Sequence, residues 1–233
     1  MKRCVNSVKV KGKVTMINVI ACVTRVRNRL AIGRRGDLLF RLKDDMDFFK
    51  TTTTTTHRHE SSLHKNVLLM GRKTWESIPA HRRPLPDRIQ LILTTNTDLL
   101  QSSPLSDDLD LTPRDFYFIT LDTFVRIYER YMPQVFVIGG AEIYRMFMNE
   151  RVALPDGTKL QVHTVYLTHV QSDEFTEIRF DKDDPDTFMD EPKEDYTLVS
   201  YSEKYQGEYK QGWRTTQLSY RIVTYQGRTK TSV

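Results

Sequence analysis

Asp45 and Phe49 stand four residues apart in Lys43-Asp44-Asp45-Met46-Asp47-Phe48-Phe49, a spacing that puts a carboxylate and an aromatic ring one turn apart on one helix face. Such a pair suits a flat heterocycle: the carboxylate accepts two hydrogen bonds from adjacent N–H groups while the ring packs on the next aromatic unit. Asp44 and Asp47 read only as helix N-terminal acids favoured by the dipole, and without its spacing Asp45 reads the same way. Arg88 ends Arg83-Pro84-Leu85-Pro86-Asp87-Arg88, a turn-rich segment feeding an apolar run. A guanidinium there suits a carboxylate gripped through two parallel bonds, or is simply a surface charge.

Two strand-to-helix turns suggest a second kind of ligand. In Val137-Ile138-Gly139-Gly140-Ala141-Glu142-Ile143-Tyr144 the glycines let the backbone turn sharply and approach a ligand, and the N–H groups of the helix start suit a pyrophosphate. The pattern is not G-x-G-x-x-G, which argues against a Rossmann domain. Leu69-Met70-Gly71-Arg72-Lys73-Thr74-Trp75-Glu76-Ser77-Ile78-Pro79 repeats the turn and adds cations. A further glycine segment, Ala31-Ile32-Gly33-Arg34-Arg35-Gly36-Asp37-Leu38, lies upstream.

In this order the motifs resemble the dihydrofolate reductase family, from about Met16 to Tyr225. The resemblance implies reduction of 7,8-dihydrofolate to 5,6,7,8-tetrahydrofolate by hydride transfer from NADPH, in support of one-carbon metabolism and thymidylate synthesis. It implies antifolate inhibitors as further ligands. On the substrate side it assigns Asp45 to the pterin N3 and 2-amino group, Phe49 to the aminobenzoyl ring and Arg88 to the glutamate α-carboxylate. Thr168, in Tyr166-Leu167-Thr168-His169, matches the threonine that hydrogen-bonds the catalytic carboxylate. Val19, Ile20, Ala21, Leu38, Ile78, Leu85, Ile138 and Tyr144 match positions lining the pocket, although each also reads as core.

On the cofactor side the resemblance assigns Ala21, Ile32, Gly33, Gly36, Asp37 and Gly71. It gives Arg72 or Lys73 to the adenosine 2′-phosphate and Thr74 to the pyrophosphate, with Thr94 and Thr95 near the 2′-phosphate. Gly139, Gly140, Ala141, Glu142, Ile143 and Tyr144 complete the set, and the family's Gly-Gly peptide is cis. A second arginine that some members carry near Thr94 is absent. One departure touches the chemistry: Leu38-Leu39-Phe40 stands where the family usually has Leu-Pro-Trp. Phe40 keeps the apolar wall of the catalytic loop but loses the indole N–H that helps hold a water near the substrate.

Short apolar runs at 17–23, 66–70, 89–94, 116–119, 134–138 and 163–171 read as strands, and amphipathic patterns at 44–51, 72–78, 121–130 and 140–148 as helices. Their alternation predicts an α/β fold: one domain with a mixed, mostly parallel central sheet of about eight strands, flanking helices and a C-terminal antiparallel hairpin. That hairpin is expected from Tyr196–Tyr201 and Gln217–Thr224, joined through a polar segment. Three polar segments exceed a minimal version of the fold: Thr51–Lys65, Ser102–Arg114 and Thr176–Glu194. The first holds six threonines with His57, His59, Glu60 and His64; nothing fixes these as ligands on one regular element, so a solvated loop and no metal are expected. Asp181–Asp195 reads as an acidic surface loop.

At 233 residues and 39% hydrophobic content the chain can bury a sizeable core. It has no apolar run near the ~20 residues that cross a bilayer, so no membrane association is expected. Cys4 and Cys22 make no disulfide framework; Cys22 reads as a small buried hydrophobe, and a reducing, cytoplasmic setting fits. The net charge of +5 suggests anionic partners. Nine of the first 34 residues are Lys or Arg, which leaves a mitochondrial presequence as an alternative to the reading of residues 1–15 as a disordered extension before a domain at 16–233. Two rival functions remain. A pyrimidine reductase of the same fold would need neither Asp45 and Phe49 nor Arg88, and a non-catalytic nucleic-acid-binding homologue would show steeply salt-dependent binding, though no RNA-binding signature is present and nucleic acid is not expected as an obligate partner. A native context fused or coupled to thymidylate synthase is compatible with the chain, which shows no synthase-like region.

Overall fold

Val67-Leu68-Leu69-Met70 and Val135-Phe136-Val137 are continuous apolar runs, which only a sheet covered on both faces can bury. The computed structural model describes residues 17–56, 64–106, 108–172, 178, 180, 184–211 and 214–227. Residues 1–15, read as an extension, and His57, His59 and Glu60 lie outside the described residues. In chain order the elements are β1 (Ile17–Val26), β2 (Arg29–Arg34), β3 (Asp37–Leu38), α1 (Lys43–Thr54), β4 (Asn66–Gly71), α2 (Arg72–Ser77), β5 (Arg88–Leu93), α3 (Thr97–Ser102), β6 (Phe116–Ile119), α4 (Leu121–Tyr131), β7 (Val135–Gly139), α5 (Ala141–Met148), β8 (Val162–Ser172), β9 (Thr187–Met189), β10 (Tyr196–Tyr201), β11 (Tyr205–Gln211) and β12 (Arg214–Gly227).

The fold is α/β. Eight strands form the path β10-β12-β8-β1-β7-β4-β5-β6, with β2, β3, β9 and β11 attached beside it. The path is parallel from β8 to β6 and antiparallel where β12 and β10 close it. Parallel neighbours need crossovers, and helices supply them. α4 buries Phe124, Ile127 and Tyr128, and α5 buries Phe147, whose ring meets Phe124 edge-on at 5.7 Å. Thr120 caps α4 by accepting from Thr123 N, and Asn96 caps α3 by accepting from Asp98 N and Leu99 N.

Three regions differ from expectation. α1 runs past 51 to Thr54, into the threonine run. β-branched residues are weak helix formers, but here the hydroxyls bond back to the preceding turn: Thr53 Oγ1 to Phe49 O at 2.7 Å and Thr54 Oγ1 to Lys50 O at 2.8 Å. Asn66 Nδ2 then donates to the carbonyls of Thr53 (2.9 Å) and Thr55 (2.8 Å), satisfying groups that a helix end leaves open.

The second region is the basic stretch after β1. β1 and β2 form a hairpin across Arg27-Asn28, and β2 and β3 another across Arg35-Gly36. All four turn residues have positive φ (47°, 60°, 50° and 77°), as two-residue type I′ turns require. The acidic segment expected as a surface loop contributes β9, which pairs with β2. Its acids meet the hairpin: Glu191 pairs with Arg25 at 2.6 Å, Asp184 with Arg27 at 3.2 Å, and Asp186 accepts from Arg35 N at 2.9 Å.

In the third region β10 does pair with β12, but the segment expected merely to join them is itself β11, paired with the first half of β12. β10 and β11 lie end to end along one edge of β12. Ser202 between them keeps the ladder whole: its N–H donates to Ile222 O at 2.8 Å and its Oγ accepts from Ile222 N at 3.0 Å.

Candidate active site

Asp45, in the first turn of α1, is a buried acid with 7% of its surface exposed. The hydroxyl of Thr168, itself buried on β8, hydrogen-bonds the carboxylate. Burial pushes the Asp45 carboxyl above the ordinary carboxylate range, and the bond from Thr168 opposes that rise. The thiol of Cys22 on β1 is raised by burial and, secondarily, by the charge of Asp45. Tyr144 of α5 is raised for the same two reasons, and its hydroxyl donates to Ile20 O at 2.8 Å. It thereby ties the helix after the Gly139-Gly140 turn to β1.

One turn after Asp45, Phe49 lies half-buried with the Arg88 guanidinium 5.8 Å from its ring centre. Arg88 is 3% exposed at the start of β5. Its Nε donates to Pro86 O at 2.9 Å and its Nη1 to Thr53 Oγ1 at 2.8 Å. Gln90 fixes the loop before it, accepting from Leu85 N at 2.7 Å and donating to Leu85 O at 3.0 Å. Burial lowers the pKa of Arg88, countered in part by the charge of Asp87, and the guanidinium stays charged at any relevant pH.

Between acid and cation runs an apolar cluster. Ile20, Leu68, Met70, Trp75, Ile92 and Phe136 form its buried floor, and Phe49, Ile78, Leu85 and Ile138 are among its half-buried members. Five residues expected to line a substrate pocket thus meet on one side of the sheet. Val19 and Ala21 alternate to the other face and join the main core, so at the site they offer backbone. Leu38 is 47% exposed. Phe40 packs in a separate cluster, edge-on to Tyr209 at 5.3 Å and tilted against Phe180 at 6.5 Å.

The two glycine turns converge. β4 and β7 are parallel neighbours with Met70 opposite Gly139, so Gly71 and Gly140 leave the sheet side by side. A Cβ on Gly140 would stand 3.4 Å from Thr74 Oγ1, one on Gly71 3.3 Å from Ile143, and one on Gly139 3.2 Å from the Tyr144 ring. Gly139 has φ 116°, a conformation that favours glycine, and the Gly139–Gly140 peptide is cis. Ala141 and the exposed Glu142 open α5 behind this turn. Arg72 is engaged bidentately by Glu76, at 2.7 Å to each oxygen, whereas Lys73 is exposed. Thr94 and Thr95 follow β5 directly past the position opposite Gly71; Thr94 Oγ1 accepts from Asn96 N at 3.1 Å. Ile32 packs against the main core, Gly33 is buried in β2, and Gly36 and Asp37 are exposed, with Asp37 gripping Arg41 at 2.9 and 3.0 Å.

Sequence reasoning missed Thr53, Asn66 and Gln90, which fix Arg88 and its loop. Thr53 had a signal: the step that joins Asp45 to Phe49, taken once more, lands on it. Asn66 and Gln90 had none, because their partners are backbone atoms brought close only by the fold.

A parallel sheet whose C-terminal edge carries two glycine turns, with a buried acid and a buried cation beside one apolar cluster, defines an α/β protein outside the Rossmann type. The family model described as dihydrofolate reductase matches residues 16–221. The dihydrofolate reductase of Candida albicans is 30% identical over 193 residues, covering 80% of this chain and 83% of that protein. The dihydrofolate reductase of Drosophila melanogaster is 30% identical over 177 residues, covering 70% of this chain and 86% of its own. The bifunctional dihydrofolate reductase-thymidylate synthase of Daucus carota is 36% identical over 135 residues, 54% of this chain but 23% of the bifunctional protein. The chain belongs to the dihydrofolate reductase family. Among its described residues no helix is long and apolar enough to cross a membrane.

Proposed function

We propose that the protein reduces 7,8-dihydrofolate to 5,6,7,8-tetrahydrofolate with NADPH, and so supports one-carbon metabolism and thymidylate synthesis. The observation that carries this reading lies along α1: a buried acid at Asp45, an aromatic ring at Phe49 and, through Thr53, a buried arginine with no carboxylate partner among the described residues. That sequence of groups complements a flat hydrogen-bonding head, an aromatic middle and an acid tail.

NADPH, when bound, supplies a hydride to pterin C6. Asp45, as the carboxylate, accepts from the pterin N3–H and 2-amino group and polarises the ring so that N5 takes its proton from water. Thr168 fixes the rotamer of that carboxylate. Ile78, Leu85 and Phe49 exclude bulk solvent, which strengthens the bonds made to Asp45 and holds the reacting faces in register. Gly71, Gly139 and Gly140 offer bare backbone, tightly neighboured at Gly71 and Gly139, which fits close approach of a pyrophosphate. Lys73, or Arg72 once it leaves Glu76, supplies charge for a 2′-phosphate.

The deciding experiment follows NADPH absorbance with and without dihydrofolate, and repeats it with NADH. Substrate-dependent oxidation with NADPH preferred is expected, and flat diamino heterocycles should inhibit by pairing with Asp45. Folded protein that shows no dihydrofolate-dependent oxidation overturns the reading.

A further inference from the structure

The start of α1 lacks a side-chain cap: Leu42 takes the N-cap position and is itself buried. What grips this end is the β11–β12 pair. Tyr220 of β12, 2% exposed, donates its hydroxyl to Asp44 Oδ2 at 2.6 Å. Its ring stacks on Tyr205 of β11 at 5.4 Å. Gly207 of β11 lies so close that a Cβ there would meet Leu42 Cδ2 at 2.9 Å and Tyr220 Cε1 at 3.2 Å. Adjacent acids of one helical turn are therefore held by adjacent strands, Asp44 by Tyr220 of β12 and Asp45 by Thr168 of β8. The strands are in fixed register, with Ile222 opposite Thr168 and Tyr220 opposite Val170.

We propose that Tyr220 is a positioning residue for Asp45: its bond to Asp44 locks the first turn of α1 against β12, which keeps the Asp45 carboxylate on Thr168 and away from water. The inference rests on the reading of Asp45 as the pterin-binding acid. The groups that feel the charge of Asp45 are Cys22 from β1, Tyr144 from α5 and Tyr220 from β12, all kept protonated by burial, while Thr168 from β8 bonds it. Its own helix adds Lys43 and Asp44. With no cation among the described residues acting on Asp45, burial is the larger influence on its titration and the Thr168 bond the smaller. A loosened turn admits water, which moves that titration down toward the ordinary carboxylate range and outweighs the loss of the Thr168 bond, the smaller of the two causes.

The test compares Y220F, D44A and D44N. The amide oxygen of D44N still accepts from the tyrosine, whereas D44A cannot. Y220F and D44A are each expected to raise KM for dihydrofolate by about three- to tenfold, the net effect of one ordinary hydrogen bond, with KM for NADPH unchanged. Both should shift the acid limb of the kcat/KM profile to lower pH, and the double variant should be no worse than the worse single. D44N should keep KM close to the wild type's, because the loss of the Asp44 charge is common to D44N and D44A and only D44A also loses the bond. A Y220F variant with wild-type KM and profile, D44N as damaged as D44A, or additive losses in the double variant each overturn the proposal. Should Y220F fail to fold, the comparison of D44N with D44A decides alone. Carbon-13 NMR of the Asp45 carboxyl reads the same downward shift without substrate. A chain that does not turn over dihydrofolate thus defeats the functional reading, while the NMR titration of Y220F or D44A still decides the role of Tyr220.

Discussion

Arg88 Nη1 donates to Thr53 Oγ1 at 2.8 Å while Arg88 Nε is taken by the Pro86 carbonyl at 2.9 Å. A carboxylate that grips a guanidinium from the side needs the Nε hydrogen, and that edge is closed. The Nη1–Nη2 end is the edge left for a two-bond ligand, and Thr53 sets its direction.

Arg88→Leu should therefore raise KM for dihydrofolate at least about tenfold, since each charge-assisted bond is worth roughly 1.5–3 kcal/mol. Thr53→Val should act in the same direction more weakly, with Thr53→Ser restoring the wild-type value. Neither should affect a dihydropterin fragment that lacks the glutamate. Equal losses on fragment and full substrate would make both residues structural.

Asp45→Asn has opposite effects on stability and activity. Burial raises the Asp45 carboxyl, so the folded protein holds that proton more tightly than the unfolded chain does. The ionised carboxylate thus costs stability above its folded pKa; the cost fades as pH falls through that value and is gone below the ordinary 3.8. The variant should melt higher than the wild type at neutral pH and level with it near about pH 3. Its kcat/KM for dihydrofolate should drop at neutral pH and recover partly in acid, where solvent protonates N5. A variant that melts lower at neutral pH contradicts this account.

Under the proposed function, cofactor choice depends on the positive charge after β4. NADPH should be used at least about tenfold more efficiently than NADH. Lys73→Ala should narrow that ratio by weakening NADPH alone. Because Glu76 holds both Arg72 contacts, Glu76→Gln should widen it. Equal kcat/KM for the two nucleotides in the wild type would remove the 2′-phosphate from the scheme.

Phe40→Trp puts a larger ring between Tyr209 and Phe180, where Phe40 is already 4% exposed. Overpacking of this kind costs about 1–3 kcal/mol. Urea denaturation should show that loss with folding retained, and turnover should change little. A variant as stable as the wild type would mean that the aromatic cluster has slack.

The parallel core was legible in the sequence because its strands are unbroken apolar runs and its helices have a clear buried stripe. Asp45, Phe49 and Arg88 were legible through spacing and through the turn that precedes the arginine. The hairpins of β1–β3 were not, since Arg27 and Arg35 adopt positive φ without any residue signal, and β9 is a three-residue strand held by partners some 150 positions away. β11 was read as a connector because its alternation is polar on one face. Asp44 was read as an ordinary helix-start acid, and only the fold supplies the tyrosine that distinguishes it.

The pinning of α1 at both ends has a metric consequence. Asp45 and Thr53 are eight residues apart, so the helix sets their separation at about 12 Å along its axis. With Tyr220 and Thr168 fixing one end and Asn66 and Arg88 the other, α1 acts as a ruler laid beside the apolar cluster. Under the proposed function a ligand is measured by the interval between its flat head and its anionic tail, and one too short or too long can engage only a single end. Inserting one residue between Phe49 and Thr53 would turn the far end by about 100° and break the gauge without touching either contact residue.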